Sequence, residues 1–238
     1  MLYSSSIIKN KKIYRANYQN LEFTEITTIG SDVLNGAFYS CTGITGSVSF
    51  PELTSIGSNG LRNVFNGCTG ITSVSFPELT SIGNYGIYYA FNGCTGITGS
   101  VSFPELTSIG SNGLEYAFNG CTGITSISFP KLTSIVGAYG LRFAFRNCTG
   151  ITSISFPELT SIGSNGLSYA FRYCTGITGS VSFPELTSIG SNGLNYVFQG
   201  CTGITELHFR ADAQANVEAT TGYSDKFGAS NATIYFDL

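Results

Sequence analysis

Apolar and polar residues alternate in two rhythms along this chain, and the pair of rhythms recurs at a fixed spacing. In residues 72–76, Val74 and Phe76 alternate with Ser73 and Ser75, the two-residue period of a strand with one buried face. Pro77 follows at once. It has no amide hydrogen for a ladder bond, so the strand is expected to stop there. A second short extended piece follows in residues 78–83, with Leu79 and Ile82 as its apolar members. Residues 60–68 then change period: Leu61, Val64, Phe65 and Cys68 stand at i, i+3, i+4 and i+7, which predicts two turns of helix with one apolar face.

This unit fills most of the chain. Cysteines fall at 41, 68, 94, 121, 148, 174 and 201, at intervals of 26 or 27 residues. Gly46, Gly99 and Gly179 read as extra residues in turns before the strand, and Val136 as an extra residue after Ile135; turns tolerate such insertions. The phrase GSNG reads as a turn in which Gly supplies a positive φ. Strand centres are expected at Leu21, Val48, Val74, Val101, Ile127, Ile154, Val181 and Leu207. Isolated helices are marginal even at about 12 residues, so these short ones need neighbours. Stacking parallel strands at about 4.8 Å per coil gives a sheet roughly 35 Å long. The expected fold is an α/β repeat protein, a solenoid with a parallel β-sheet on one face, short helical turns on the other, and terminal caps. Residues 21–209 hold about seven repeats of 26–27 residues. Residues 1–20 are expected to form an N-terminal cap, with a hairpin over 2–18, and 210–238 a C-terminal cap, with a helix in ADAQANVEA and a final strand in NATIYFDL.

The phrase ITSISFPELTSIG followed by GLSYAFRYCTGIT resembles the leucine-rich repeats of BspA-like, Treponema-type surface proteins, whose pattern is a strand ending in Pro and then an A-F-x-x-C turn. Here the repeat is a few residues longer and Phe precedes the Pro. The resemblance implies a protein-interaction or adhesion role, with display on a cell surface or a virion. The opening MLYSSSIIKNKK has no basic start followed by a long apolar core, so no Sec route is expected from this stretch. Virion assembly would reconcile surface display with that opening.

Composition narrows the function classes. Only 11% of residues are charged, but 42% are hydrophobic and 13% aromatic, enough burial to offset chain entropy, so a folded chain is expected. A net charge of -3 with no basic stripe argues against nucleic acid. The one basic cluster, Lys9, Lys11, Lys12 and Arg15, reads as a solvated terminal hairpin. No apolar run is long enough for membrane insertion.

Candidate chemistry is sparse. Zinc would need paired cysteines or accompanying histidines. Disulfides fit poorly with an odd cysteine count and inward positions, which leaves buried free thiols as the expectation. The single histidine, His208, stands on the outward side of the last strand beside Glu206, away from inward-facing Cys201, so no nucleophile and base pair is expected. Glu52, Glu78, Glu105, Glu158 and Glu185 stand one per repeat, with Lys131 in the same column, a solvated row. With no phosphate-binding glycine loop either, no catalytic residue, cofactor or metal is expected.

The repeats disagree with one another mainly at three columns. One runs Asn35, Arg62, Tyr88, Glu115, Arg142, Ser168, Asn195; the next Gly36, Asn63, Tyr89, Tyr116, Phe143, Tyr169, Tyr196; the third Tyr39, Asn66, Asn92, Asn119, Arg146, Arg172, Gln199. The helical period points the first and third outward, and the second can stack on itself. Rigid aromatics, arginines and short polar groups are the residue types of binding surfaces. The expected partner-binding residues are therefore Arg62, Tyr88, Tyr89, Glu115, Arg142, Arg146, Arg172, Tyr173 and Asn195. The partner is expected to be a protein or glycan ligand, recognised by an adhesin-like or receptor-binding module or by an intracellular scaffold. The two serine rows of the strands, such as Ser126 and Ser128, repeat one chemistry and read as structural.

Overall fold

The structure, a computed structural model, describes residues 18–238. The hairpin expected over residues 2–18, with its basic cluster, lies outside them apart from Tyr18, which opens the first strand. Among the described residues the chain is a right-through stack of coils with three ladders. The first contains the strands Tyr18–Glu22, Ile44–Ser49, Ile71–Ser75, Thr98–Ser102, Gly123–Ser128, Ser153–Ser155, Thr178–Phe183 and Gly203–Phe209, each where the alternation places it. Their pairing is parallel and divides this row into three hydrogen-bonded sheets, with breaks after Ile71–Ser75 and after Ser153–Ser155; Val48 lies opposite Val74, Val101 opposite Ile127 and Val181 opposite Leu207. The second row is made of two-residue strands in two sheets, Ser55–Ile56 on Ser81–Ile82 on Ser108–Ile109 and, separately, Ser134–Ile135 on Ser161–Ile162 on Ser188–Ile189.

The third ladder corrects the expectation of helical turns. Residues 59–68 and their equivalents form successive β-turns, and no helix lies among the described residues before Ala211. Backbone amides alternate between two acceptors. Val64 N–H donates to Leu61 O at 3.2 Å and Cys68 N–H to Phe65 O at 3.0 Å, closing turns, whereas Asn63, Phe65 and Gly67 N–H each donate across to the next coil at 2.8 Å. A residue in the left-handed region recurs every four positions, at Asn59, Asn63 and Gly67 in this coil, which forbids a continuous helix. Four is close enough to 3.6 that Leu61, Val64, Phe65 and Cys68 all still face inward and are fully buried. In GSNG the left-handed residue is the Asn, as at Asn112 and Asn165. Gly60 serves close approach instead, since a Cβ there would meet the Ile56 and Ile29 side chains.

A second correction concerns the inserted glycines. Gly46, Gly99 and Gly179 lie inside their strands, with φ near 75°. The register shifts at each: Gly99 faces Ile124 but Ser100 faces Ser126, and Gly46 and Gly179 repeat this. They mark bulges in the ladder: across each glycine the neighbouring strand carries one residue with no partner, Thr72, Thr125 or Thr205, and the left-handed glycine lets its own strand follow the shift. Val136, by contrast, projects into solvent after the strand Ser134–Ile135.

The interior is organised by two rows of stacked phenylalanines. Strand-end rings at Phe76, Phe103, Phe129 and Phe156 follow one another at 5.2–5.6 Å, and turn rings at Phe65, Phe91, Phe118 and Phe145 at 5.2–5.6 Å. The rows meet edge-on, as at Phe103 and Phe118, 6.3 Å apart.

All seven cysteines are buried, and the six from Cys68 to Cys201 are free thiols. From Cys68 onward each thiol donates to a phenylalanine carbonyl of the preceding coil; Cys121 Sγ lies 3.2 Å from Phe91 O, which also accepts the Cys94 amide at 3.1 Å. The thiol thus ties coil to coil at a shared acceptor. Burial pushes the thiols up, to about 12 for Cys68, Cys148 and Cys201 and well above the usual thiol range for Cys121. A native sample should therefore react slowly with a thiol reagent at pH 8, Cys41 first because it lies in the first full coil, and all seven should react after denaturation. Cys121→Ser should cost about 1–3 kcal/mol, because the shorter C–O bond draws the hydroxyl back from the carbonyl and leaves it poorly satisfied. Rapid native labelling of several thiols, or unchanged stability of the serine variant, would contradict this arrangement.

Candidate binding surface

The turn ladder carries a ridge of aromatic and guanidinium groups whose placement goes against local backbone preference. Its left-handed positions are held by Asn, Gly, Asp or Ser in many coils, but by Tyr85, Tyr89, Tyr116, Tyr139, Phe143, Tyr169, Tyr173 and Tyr196 in others. A left-handed backbone costs a residue with a Cβ roughly 1–2 kcal/mol, and Gly or Asn is the residue such a position favours. Tyr173 replaces the glycine found at Gly67, Gly93, Gly120 and Gly200. It lies over Gly200, where any side chain would collide with its ring.

Five of these rings stack. Tyr89, Tyr116, Phe143, Tyr169 and Tyr196 follow one another at 4.5, 4.7, 4.9 and 5.4 Å, tilted by 25° or less. Tyr88 closes one end edge-on to Tyr89 at 4.6 Å. Burial raises the Tyr89 hydroxyl to about 12, helped by the neighbouring Tyr116, Tyr88 and Glu115, so this phenol remains a hydrogen-bond donor at neutral pH.

Arginines lie against this stack. Arg142 sits 4.8 Å from the Phe143 centroid and 5.0 Å from that of Tyr139; Arg146 covers Phe143 at 5.8 Å. Arg172 is 4.6 Å from Tyr173 and 5.7 Å from Tyr169, and its Nη2 donates to the Tyr173 hydroxyl at 3.0 Å. Arg62 makes a separate group with Tyr88 and Tyr85, at 5.2 and 5.8 Å. Cation–π contacts of this range contribute about 0.5–1 kcal/mol at exposed sites, enough to hold flexible side chains in place.

The outward direction expected of the first column needs correcting at two positions. Glu115 is only 5% exposed and Ser168 1%. The Glu115 carboxylate accepts from Asn112 and lies 3.4 Å from Arg142 Nη1; burial raises its pKa against those two partners. Glu115 is thus a prop beneath Arg142 rather than a contact residue. Ser168 donates to Asn195 O at 3.2 Å. In the third column Asn66, Asn92 and Asn119 form an amide ladder at 3.0 and 2.8 Å, which Arg146 and Arg172 continue half-exposed. The structure therefore gathers Arg142, Arg146, Arg172 and Tyr173 round Phe143 and Tyr169, with Arg62, Tyr88 and Tyr89 at the far end of the stack and Asn195 at the near end. Sequence reasoning missed Tyr85 and Tyr139 as members. Their signal was substitution at the Asn of the repeat, as at Asn59, Asn112, Asn165 and Asn192.

The other surfaces offer less. The serine rows lie on the strand face, with Ser126 Oγ 2.7 Å from Ser100 Oγ. His208 stacks on Tyr235 at 5.0 Å, and both its ring nitrogens face carboxylates, Nδ1 to Asp237 at 2.8 Å and Nε2 to Glu206 at 3.3 Å. The Asp237 bond above all raises its pKa. Cys201 is buried and bonded to Phe171 O, so neither ring nitrogen is placed to serve it as a base. No group of three metal-ligating side chains occurs among the described residues.

Comparison with known proteins bears on the same repeats. The model of the BspA type leucine rich repeat region matches in six copies, over residues 6–113, 61–165 and 86–215. Among solved structures, a Treponema pallidum leucine rich repeat protein is similar at 20% identity, covering 78% of this chain and 77% of its own, with a TM-score of 0.52. A leucine-rich repeat protein from Bacteroides ovatus is 20% identical over 91% of this chain and 68% of its own, with a TM-score of 0.37. A leucine rich cell surface protein from Faecalibacterium prausnitzii is 16% identical over 92% and 87%, with a TM-score of 0.30. No curated protein sequence matches this chain.

Proposed function

The chain belongs to the BspA-type leucine-rich-repeat family, and from that premise we propose that it is a non-catalytic binding module, adhesin-like or receptor-binding, which recognises a protein or glycan through the turn ridge. The family is one of protein-interaction modules. The observation that carries the ridge assignment is the row of aromatic residues at left-handed backbone positions. Local conformational preference favours Asn or Gly there, so the rings are retained for what they touch. Arg62, Tyr88, Tyr89, Arg142, Arg146, Arg172, Tyr173 and Asn195 supply the contact, and Glu115 acts through Arg142. The ridge also differs from coil to coil, whereas the serine rows repeat one chemistry and can carry little specificity.

A photo-crosslinking residue placed at Tyr173, and separately at Ser128, tests this in the producing cells. Adducts are expected from position 173 and not from 128. Adducts from 128 alone, or from neither position, would remove the ridge as the contact surface.

A further inference from the structure

The ridge is electropositive on a chain whose net charge is -3, and its geometry decides which kind of surface it offers. Rings stacked at 4.5–5.4 Å cover one another's faces, and arginines lie over those of Phe143, Tyr169 and Tyr173. What remains open is ring edges and phenol hydroxyls. The edge of an aromatic quadrupole is positive and its face negative, so the stack presents to solvent the side that attracts oxygen acceptors. A sugar ring packing on an aromatic needs the face, which is taken.

The charges agree with this. Across the six turn segments 59–68, 85–94, 112–121, 139–148, 165–174 and 192–201, the one acidic residue is Glu115, and it is buried beneath Arg142. Arg146 and Arg172 occupy equivalent places in adjacent coils, and neither forms an ion pair among the described residues. Each has an enclosed Nε with no hydrogen-bond partner there, while the side chain as a whole is half-exposed. The glutamate row lies elsewhere, at the Pro-Glu corners, where Glu105 and Glu185 are already paired with Lys131 and Arg210. Two guanidinium forks, about 4.8 Å apart along the coil axis and held flat by aromatic rings, suit bidentate carboxylates.

We infer that the ridge round Phe143 takes an extended acidic polypeptide segment, its carboxylates paired with Arg146 and Arg172 and its carbonyl oxygens against the ring edges. This rests on the ridge being the contact surface, and it chooses between the ligand classes that reading leaves open.

Fluorescence anisotropy with a labelled oligoglutamate tests it on the whole chain, with oligolysine, a sulfated polysaccharide and a neutral glucan as the other probes. Oligoglutamate is expected to bind and to weaken as salt shortens the screening length, although the rest of the molecule repels it. Arg146→Ala with Arg172→Ala should weaken it at least about tenfold. The paired Arg→Lys variant should fall between, since it keeps charge but loses the fork and the stacking. Ser126→Ala with Ser128→Ala should bind as the parent does, and thermal melts of all variants should match. Oligoglutamate binding no tighter than oligolysine, an unaffected Arg pair variant, or binding of the sulfated polysaccharide alone would overturn the inference. Self-association lost in the Arg pair variant would also overturn it, by making the glutamate row of a second copy the occupant. Crosslinks from Tyr173 without oligoglutamate binding would sink the acidic partner alone; crosslinks from Ser128 would sink the ridge as well.

Discussion

Phe118→Ala is expected to destabilise the chain by about 3–5 kcal/mol, the range for emptying a fully buried phenylalanine site. Phe118 stacks between Phe91 at 5.2 Å and Phe145 at 5.6 Å and meets Phe103 edge-on at 6.3 Å. It is fully buried. Three rings therefore lose a partner at once. In a solenoid each coil is held only by its neighbours, so there is no remote contact to absorb the loss. The comparison that gives the result meaning is Tyr116→Asn, two residues away on the solvent side. Asn is the residue at the equivalent Asn63, with the same left-handed backbone, so this change gives up stacking worth about 0.5–1.5 kcal/mol per pair and relieves backbone strain. Denaturant melts should show a large shift for the first variant and a small one for the second. A loss at Tyr116 as large as at Phe118 would make the outer stack a structural element and remove the reason for assigning it to binding.

The strands were legible because their alternation is clean and Pro follows six of the eight. The two-residue ladder was legible as well, from Leu and Ile placed three apart. The turn ridge was not, for a specific reason: inward residues at i, i+3, i+4 and i+7 satisfy a helix of period 3.6 and a run of β-turns of period four equally well over nine residues. The deciding signal was present in Asn59, Asn63 and Gly67, residues tolerant of a left-handed backbone standing four apart. In the central coils tyrosines and Phe143 occupy those positions and hide it. The same confusion made Glu115 look exposed, because a helix would have turned it outward. The bulges at Gly46, Gly99 and Gly179 were visible as insertions, but whether an extra glycine sits in a turn or inside a strand depends on the neighbouring strand's register, which one repeat alone does not define.

Two deletions of similar size should have opposite consequences. Removing residues 95–121 joins Cys94 to Thr122 and takes out one full coil between equivalent cysteines. Every remaining coil keeps a neighbour of the same kind, so the shortened chain should fold and melt cooperatively with somewhat lower stability. Removing residues 211–238 takes away what covers the last repeat. The strand Thr233–Phe236 pairs along Gly203–Phe209, with Leu207 opposite Ile234 and Phe209 opposite Phe236. Phe227 O accepts the Phe198 amide at 3.0 Å, and its ring continues the edge-on contact with Phe209 at 6.1 Å. Asn216 and Asn231 hold the segment to the carbonyls of Thr187 and Thr202 at 2.8 and 2.9 Å. Without it Phe198, Leu207 and Phe209, all buried now, would face water beside an unpaired strand edge, the combination that templates association. The expected result is loss of soluble monomer on size exclusion for the second deletion and its retention for the first. A monomeric, cooperatively melting chain ending at Arg210 would show that the coils need no cover at this end. An insoluble product of the internal deletion would show that the repeats are not the interchangeable units that their shared register implies.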